Sequence, residues 1–330
     1  MRGNVERPNL ITGSPLNNAG QTQFSKEFPM GEGWFSMNLS FNLVFVVGTG
    51  TTPIAEGELL YIKNVLLRTD RGEIVCNLPG RALWKIASLK NGALPYKDAI
   101  AAASATYRVH IPIYFCDPEG AHKMLRPEDT IFDTSRYNSI SLQVTLGSVA
   151  DLLTTPGTST VATSLDLEVE RSFGRLPGAK PGEGGRPIGI INYDIRPPVD
   201  ANVLANIDIE RSAEMSLKRI YVHTGALGTA GIPWSGTNSD TRIANMTIKD
   251  QSRFIEKERL WNQIQYQNKL DSNLEAMLSG VTCFNFVKDG SIASALATAD
   301  KSVLQLTWVN GTVAALNIVT LTQEAIRTLK

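Results

Sequence analysis

Three cysteines and three histidines in 330 residues leave little room for several kinds of chemistry. Cys76, Cys116 and Cys283 are odd in number, far apart and never spaced as CxxC. That excludes a disulfide framework and a cysteine-based zinc site. Cys116 and Cys283 sit in apolar, strand-like runs and read as small buried hydrophobes, so folding in a reducing compartment is expected. His110, His122 and His223 pair at no metal-ligating spacing. Charge of one sign is missing too: Lys+Arg and Asp+Glu stand at 32 each. A chain whose task is to coat nucleic acid normally carries a basic excess, so sequence-specific nucleic-acid binding is not expected. Little self-repulsion also lets copies pack closely. No run approaches the roughly 18 apolar residues of a membrane-spanning helix, and the polar opening MRGNVERPNLITGSPLNNAGQTQ has no apolar signal core.

What is present is strand. In MNLSFNLVFVV, Met37, Leu39, Phe41, Leu43, Phe45 and Val47 share one face, and Asn38, Ser40 and Asn42 begin the other. Similar runs follow: IKNVLLRT (62–69), a short one near 73–76, YRVHIPIYF (107–115), NSISLQVTLG (138–147) and ATSLDLEVER (162–171). The second half offers NVLANIDIER, SLKRIYVHT, VTCFNFV, KSVLQLTWV and TVAALNIVTL. Helical patterns are few. LPGRALWKIASLKN and PYKDAIAAAS predict two short helices in the first half. QSRFIEKERLWNQIQYQNKLDSNLEAML predicts one long helix in the second, with an apolar stripe through Phe254, Leu260, Trp261, Ile264, Leu270, Leu274 and Leu278.

The halves echo one another. IKNVLLRT matches LKRIYVHT (217–224), ALWKI (82–86) matches RLWNQI (259–264), and SISLQVT (139–145) matches SVLQLT (302–307), in one order. Two whole domains of similar design are implied rather than a short solenoid repeat. Thr69 to Leu83 is shorter than Thr224 to Leu260 by about 22 residues, which predicts an insertion in the second copy.

The expected architecture is all-β with a few helices: two tandem eight-stranded jelly rolls, with helices in one inter-strand connection of each. The expected segments are a flexible N-terminal arm (1–23), a first jelly roll (24–172), a Pro/Gly-rich linker (173–189) and a second jelly roll (190–330). A surface-loop insertion is expected at about 225–250. Trp84 and Trp261, at matching points, are expected to plug each core from a helix, and Trp234 to sit on the exposed loop.

Catalytic signals are scarce. GTGTTP lacks the Lys-Ser/Thr ending of a phosphate loop, and no GxSxG elbow occurs. Acidic loops at 117–120 and 126–134 leave structural calcium open, but no other cofactor is indicated. Two alternatives stand beside a structural protein. A phage receptor- or carbohydrate-binding jelly roll would need exposed aromatics, for which Trp34, Tyr96 and Trp234 are candidates. A glycan-processing hydrolase would need converging carboxylates such as Glu256 and Asp271.

Several stretches carry a resemblance. FSKEFPMGEGWFSMNLSFNLVF, IKNVLLRTDRGEIVCNLPGRALWKI and YRVHIPIYFCDPEG with IFDTSRYNSISLQVTLG are similar to double jelly-roll major capsid proteins. The types resembled are the corticovirus, tectivirus and Flavobacterium-phage coat proteins of tailless icosahedral bacteriophages with an internal membrane. The resemblance implies a non-enzymatic coat protein forming pseudo-hexameric homotrimers that tile an icosahedral shell. It implies as partners the chain itself, vertex (penton) and minor capsid proteins, and the internal lipid membrane, with assembly in the host cytoplasm. It also places the arm, with Arg2 and Arg7, toward that membrane, and the 225–250 loop on the outer surface.

Overall fold

The computed structural model describes residues 5–16, 26–28, 33–49, 52–101, 103–116, 130–172, 189–229, 231–287, 295–312 and 317–328. They fall into two compact units. The first holds 5–87, 94–116 and 130–172; the second holds 189–328 and also 88–93.

The first unit runs β1 (Val5–Glu6), β2 (Asn9–Leu16), β3 (Lys26–Glu27), β4 (Gly33–Val46), a short α1 (Gly57–Tyr61), β5 (Ile62–Thr69), β6 (Ile74–Leu78) and α2 (Gly80–Asn91). It closes with β7 (Ala105–Tyr114), β8 (Phe132–Asp133), β9 (Ile140–Leu146) and β10 (Thr160–Ser172). One sheet orders β1-β10-β4-β7, with β2 on β10 and β8 on β4; the other orders β3-β9-β5-β6. Strict alternation does the sorting. Met37, Leu39, Phe41, Leu43 and Phe45 of β4 are buried beside Leu165, Leu167 and Val169 of β10 and Val109, Ile111 and Ile113 of β7. Val65 and Leu67 of β5 and Leu142 and Val144 of β9 are buried in the second sheet. Between β5 and β6 the DRG turn closes with Gly72 at φ +80°, a conformation that glycine adopts without strain.

The second unit repeats the plan. Its elements are β11 (Gly189–Ile195), β12 (Val199–Asp200), β13 (Asn206–Asp208), β14 (Met215–Ala226), β15 (Thr237–Asn238), β16 (Ile243–Asp250), β17 (Arg253–Leu260) and α3 (Trp261–Asp271). After them come β18 (Val281–Asn285), β19 (Leu296–Ala297), β20 (Leu304–Asn310) and β21 (Ile318–Thr328). One sheet is built on β11-β21-β14 with β12, β15, β18 and β19 attached; the other orders β13-β20-β16-β17. Ile220, Val222, Met246, Ile248, Leu306, Leu321, Trp261 and Ile264 meet in its core.

The topology confirms duplication and corrects the sequence match. Strand β4 pairs with the last strand of its unit (β10) and with β7, as β14 pairs with β21 and β18. Strand β5 pairs with β9 and β6, as β16 pairs with β20 and β17. LKRIYVHT therefore occupies the place of MNLSFNLVFVV, and the counterpart of IKNVLLRT is IANMTIKD (243–250). The octet match is a coincidence between β5, which is half-buried, and β14, which is buried on both faces. The insertion at about 225–250 disappears with it, since 243–250 is a strand with Ile243, Met246 and Ile248 in the core.

Three further expectations change. Much of the N-terminal arm is sheet: β1 and β2 pair along β10. The described residues of 95–104 form no helix, because the chain runs alongside β7, with Lys97 bridged to Val109 and the Arg108 N–H bonded to Asp98. Only 261–271 of the long helix predicted over 251–278 is helical; its first part is the edge strand β17, captured by the ladder with β16. Residues 173–188 of the expected linker lie outside the described residues.

Candidate functional site

The sheet β11-β21-β14 is buried on both faces. One face carries the apolar core. The other carries a buried polar layer: Arg219, Tyr221 and His223 of β14, Thr320, Thr322 and Glu324 of β21, and Tyr193 of β11. Glu324 stands between Tyr193 and Arg219 in register. A bulge makes Lys218 an extra residue between the pairs Leu217–Ala325 and Arg219–Glu324, which aims a second β14 cation at the same carboxylate. Lys90, from the last turn of α2, donates to Glu324 Oε1 at 2.9 Å and to the Tyr193 hydroxyl at 2.9 Å. Lys218 Nζ lies 3.4 Å from Oε1 and Arg219 3.3 Å from Oε2, and the Tyr221 hydroxyl donates to Oε2 at 2.7 Å. Burial, then the neighbouring Glu324 charge, pushes the Tyr221 phenol well above its usual range. Glu324, Lys90 and Lys218 have side chains fully removed from solvent. This cluster is a buried structural clamp.

Trp234 closes the other end of the layer, contrary to the exposed position expected for it; it is 1% exposed. Its indole stacks on His223 at 4.7 Å and donates to Thr322 Oγ1, and its backbone N–H donates to Thr320 Oγ1. A polar-looking GIPWSG loop thus folds inward, because the threonines of β21 offer the indole and amide the acceptors that burial demands.

The remaining sequence candidates are dispersed. Trp84 is buried as the fifth residue of α2 and donates to the Pro95 carbonyl at 3.0 Å. Trp261 is buried as the first residue of α3 and donates to Asp240 at 3.2 Å. Arg7 is exposed and lies 3.5 Å from Glu170; Arg2 lies outside the described residues. Of the aromatics proposed for ligand stacking, Trp34 and Trp234 are buried and only Tyr96 is exposed. Glu256 lies on β17 and Asp271 ends α3. Residues 117–129 of the acidic loops are not among the described ones. Asp133 accepts from the Ser135 N–H and hydroxyl and pairs with Arg136. Among the described residues no three His, Cys, Asp or Glu side chains gather as a metal set.

One cavity of about 400 Å³ opens beside Arg196, Asp208, Glu210 and Arg211. Arg196 bridges Asp194 at 3.7 Å and Glu210 at 3.6 Å. Burial and a shared hydrogen bond with Glu210 push the Asp194 carboxyl up to about 6, against the pull of Arg196 and Arg327. A raised acid pKa means that the folded state holds this proton more tightly than the unfolded chain. Stability should therefore fall as pH rises from about 4 through about 6, and be level in this respect above that. Thermal melts of Asp194→Asn should lack this decline, and an identical pH profile in the variant would refute the assignment.

Comparison with known proteins places the fold. No family model and no curated relative matches the chain. Solved structures do. It aligns with the STIV MCP over 99% of its own length and 97% of that chain, at TM-score 0.70 and 13% identity. The chain has a double jelly-roll fold. The major capsid protein P2 from bacteriophage PM2 aligns over 99% and 98% of the two chains at TM-score 0.61 and 12% identity. The PBCV-1 virus capsid aligns over 99% and 96% at TM-score 0.58 and 12% identity. All three matches are coat proteins, and the double jelly-roll resemblance read from the sequence is borne out at the level of fold.

Proposed function

We propose that this chain is a major capsid protein that builds an icosahedral virion shell, of bacteriophage type, from copies of itself. Three copies form a pseudo-hexameric homotrimer, and the trimers enclose an internal membrane and the genome after assembly in the host cytoplasm. The observation that carries the reading is the match of the whole two-unit chain, rather than one jelly roll, to capsid proteins along nearly their full length. Duplication supplies the physical logic: three two-lobed chains present six similar lobes, which tile a lattice through repeated modest contacts. No enzymatic role is proposed. Vertex and minor capsid proteins are the expected further partners. Negative-stain images of the purified protein should show particles with six lobes; monomeric two-lobed particles at every salt concentration would contradict the reading.

The N-terminal segment carries the membrane part of the proposal. Arg7 is 65% exposed at its side chain, and with Arg2 it offers lipid phosphates about 1 kcal/mol per charge, so binding relies on many copies. Assembled particles should float with anionic vesicles, and Arg2→Ser with Arg7→Ser should reduce that recovery severalfold. Unchanged flotation would remove these arginines from the membrane contact.

A further inference from the structure

Helices α2 and α3 hold equivalent places, each following the edge strand of the smaller sheet of its unit. Their surroundings differ. Every residue of α2 from Arg81 to Lys90 is buried. In α3 only one face is buried, through Trp261, Ile264, Gln265 and Asn268. The opposite face presents Asn262, Gln263, Tyr266 and Leu270, with Tyr266 56% and Leu270 54% exposed one turn apart. A helix covered on all sides has a partner, and α3 lacks that cover among the described residues.

The cover of the last turn of α2 defines what is missing. That turn belongs to the second compact unit, where Lys90 reaches Glu324 on the outer face of β21. The first unit carries the matching receptor. Strand β10 is the counterpart of β21, and both meet their neighbour at a bulge: Glu170–Ser36 precedes the shift at Arg171, as Glu324–Arg219 precedes the shift at Ala325. Glu170 therefore stands where Glu324 stands. Around it the outer face of β10 and β4 is half-exposed, with Asp166, Glu168 and Glu170 in one acidic row beside Ser36, Asn38 and Ser40. Glu170 also lies 3.5 Å from the exposed Arg7 and accepts from the Ser36 hydroxyl at 3.2 Å, so Lys269 would join an existing cluster. Helix α3 ends as α2 does, with a basic residue in its last turn, Lys269.

We propose that α3 docks through Tyr266, Lys269 and Leu270 onto the outer face of β10 and β4 of a second copy of this chain, with Lys269 directed to Glu170. Charge selects the occupant, since a lysine at a negative helix C-terminus meets an acidic row in which Glu170 holds the place that Glu324, the partner of Lys90, holds in the second unit. The contact is head-to-tail, so it closes into a ring when the rotation allows. This deepens the self-assembly reading and rests on it.

The test is a charge swap on the full chain, read by sedimentation over a concentration series. Lys269→Glu and Glu170→Lys should each raise the dissociation constant of the wild-type oligomer by about 10- to 100-fold, the range of interface hot spots. The two changes together should restore at least tenfold of that loss. An oligomer indifferent to either change would overturn this docking while leaving self-assembly standing, whereas a wild type that stays monomeric overturns both. Should Glu170→Lys fail to fold, hydrogen exchange on the wild type decides: the surface of α3 and β10 must gain protection as concentration rises. Assembly with unchanged protection there would assign the α3 face to some other partner and reject the proposal.

Discussion

Glu324→Ala should lower the stability of the second unit by about 3–5 kcal/mol, because it leaves Lys90, Lys218 and Arg219 around a vanished carboxylate. With a urea dependence of about 1–3 kcal/mol per molar, the midpoint should move by about 1 M or more. The size follows from burial: the four side chains are at most 8% exposed, so solvent cannot replace the lost charge. Glu324→Gln should fall between, since its single amide oxygen can replace only one of Oε1 and Oε2, keeping the bond from Lys90 or that from Tyr221, and it carries no charge. A shift under about 1 kcal/mol for the alanine variant, typical of a surface ion pair, would show that the cluster is not the clamp described.

Trp34→Ala should cost about 3–5 kcal/mol in the first unit, the range for emptying a large aromatic site in a packed core. Trp34 is 0% exposed and lies among Phe28, Phe115 and Phe132, with ring centroids at 5.6, 6.4 and 5.8 Å. Phe132 in turn stacks on Phe115 at 5.1 Å and on Tyr137 at 5.6 Å, so the tryptophan supports a wider aromatic cluster. Trp34→Phe should retain most of the stability. Circular dichroism melts of the two variants check this, and near-equal losses would mean that the site collapses around the smaller side chain.

The strands that sequence reading found best are those with one buried face. Met37 to Phe45 alternates without a break, and β4 buries those residues while its polar partners face outward. Where burial departs from that rule, the reading failed. Strand β14 is buried on both faces, so its residues do not alternate, and its octet was matched to the wrong partner. In FIEKERL the spacing fits a helix as well as an edge strand, and pairing with β16 decides for the strand. The Glu324 cluster left no local trace: its members are drawn from residues 90, 193, 218, 219, 221 and 324, and only the fold gathers them. Trp234 was misplaced because a Gly/Pro/Ser loop looks solvated, and nothing nearby in sequence announces Thr320 and Thr322 as its acceptors. The duplication was legible through the LW and LQ blocks, whose tryptophans lie in α2 and α3 and whose strands are β9 and β20.

The asymmetry between a fully covered α2 and a half-covered α3 makes self-association the point on which the account turns. Light scattering of the purified protein across a range of salt and concentration tests it most directly. A species near three times the 36.0 kDa chain mass is the predicted result. A stable species at the single-chain mass under every condition would contradict it.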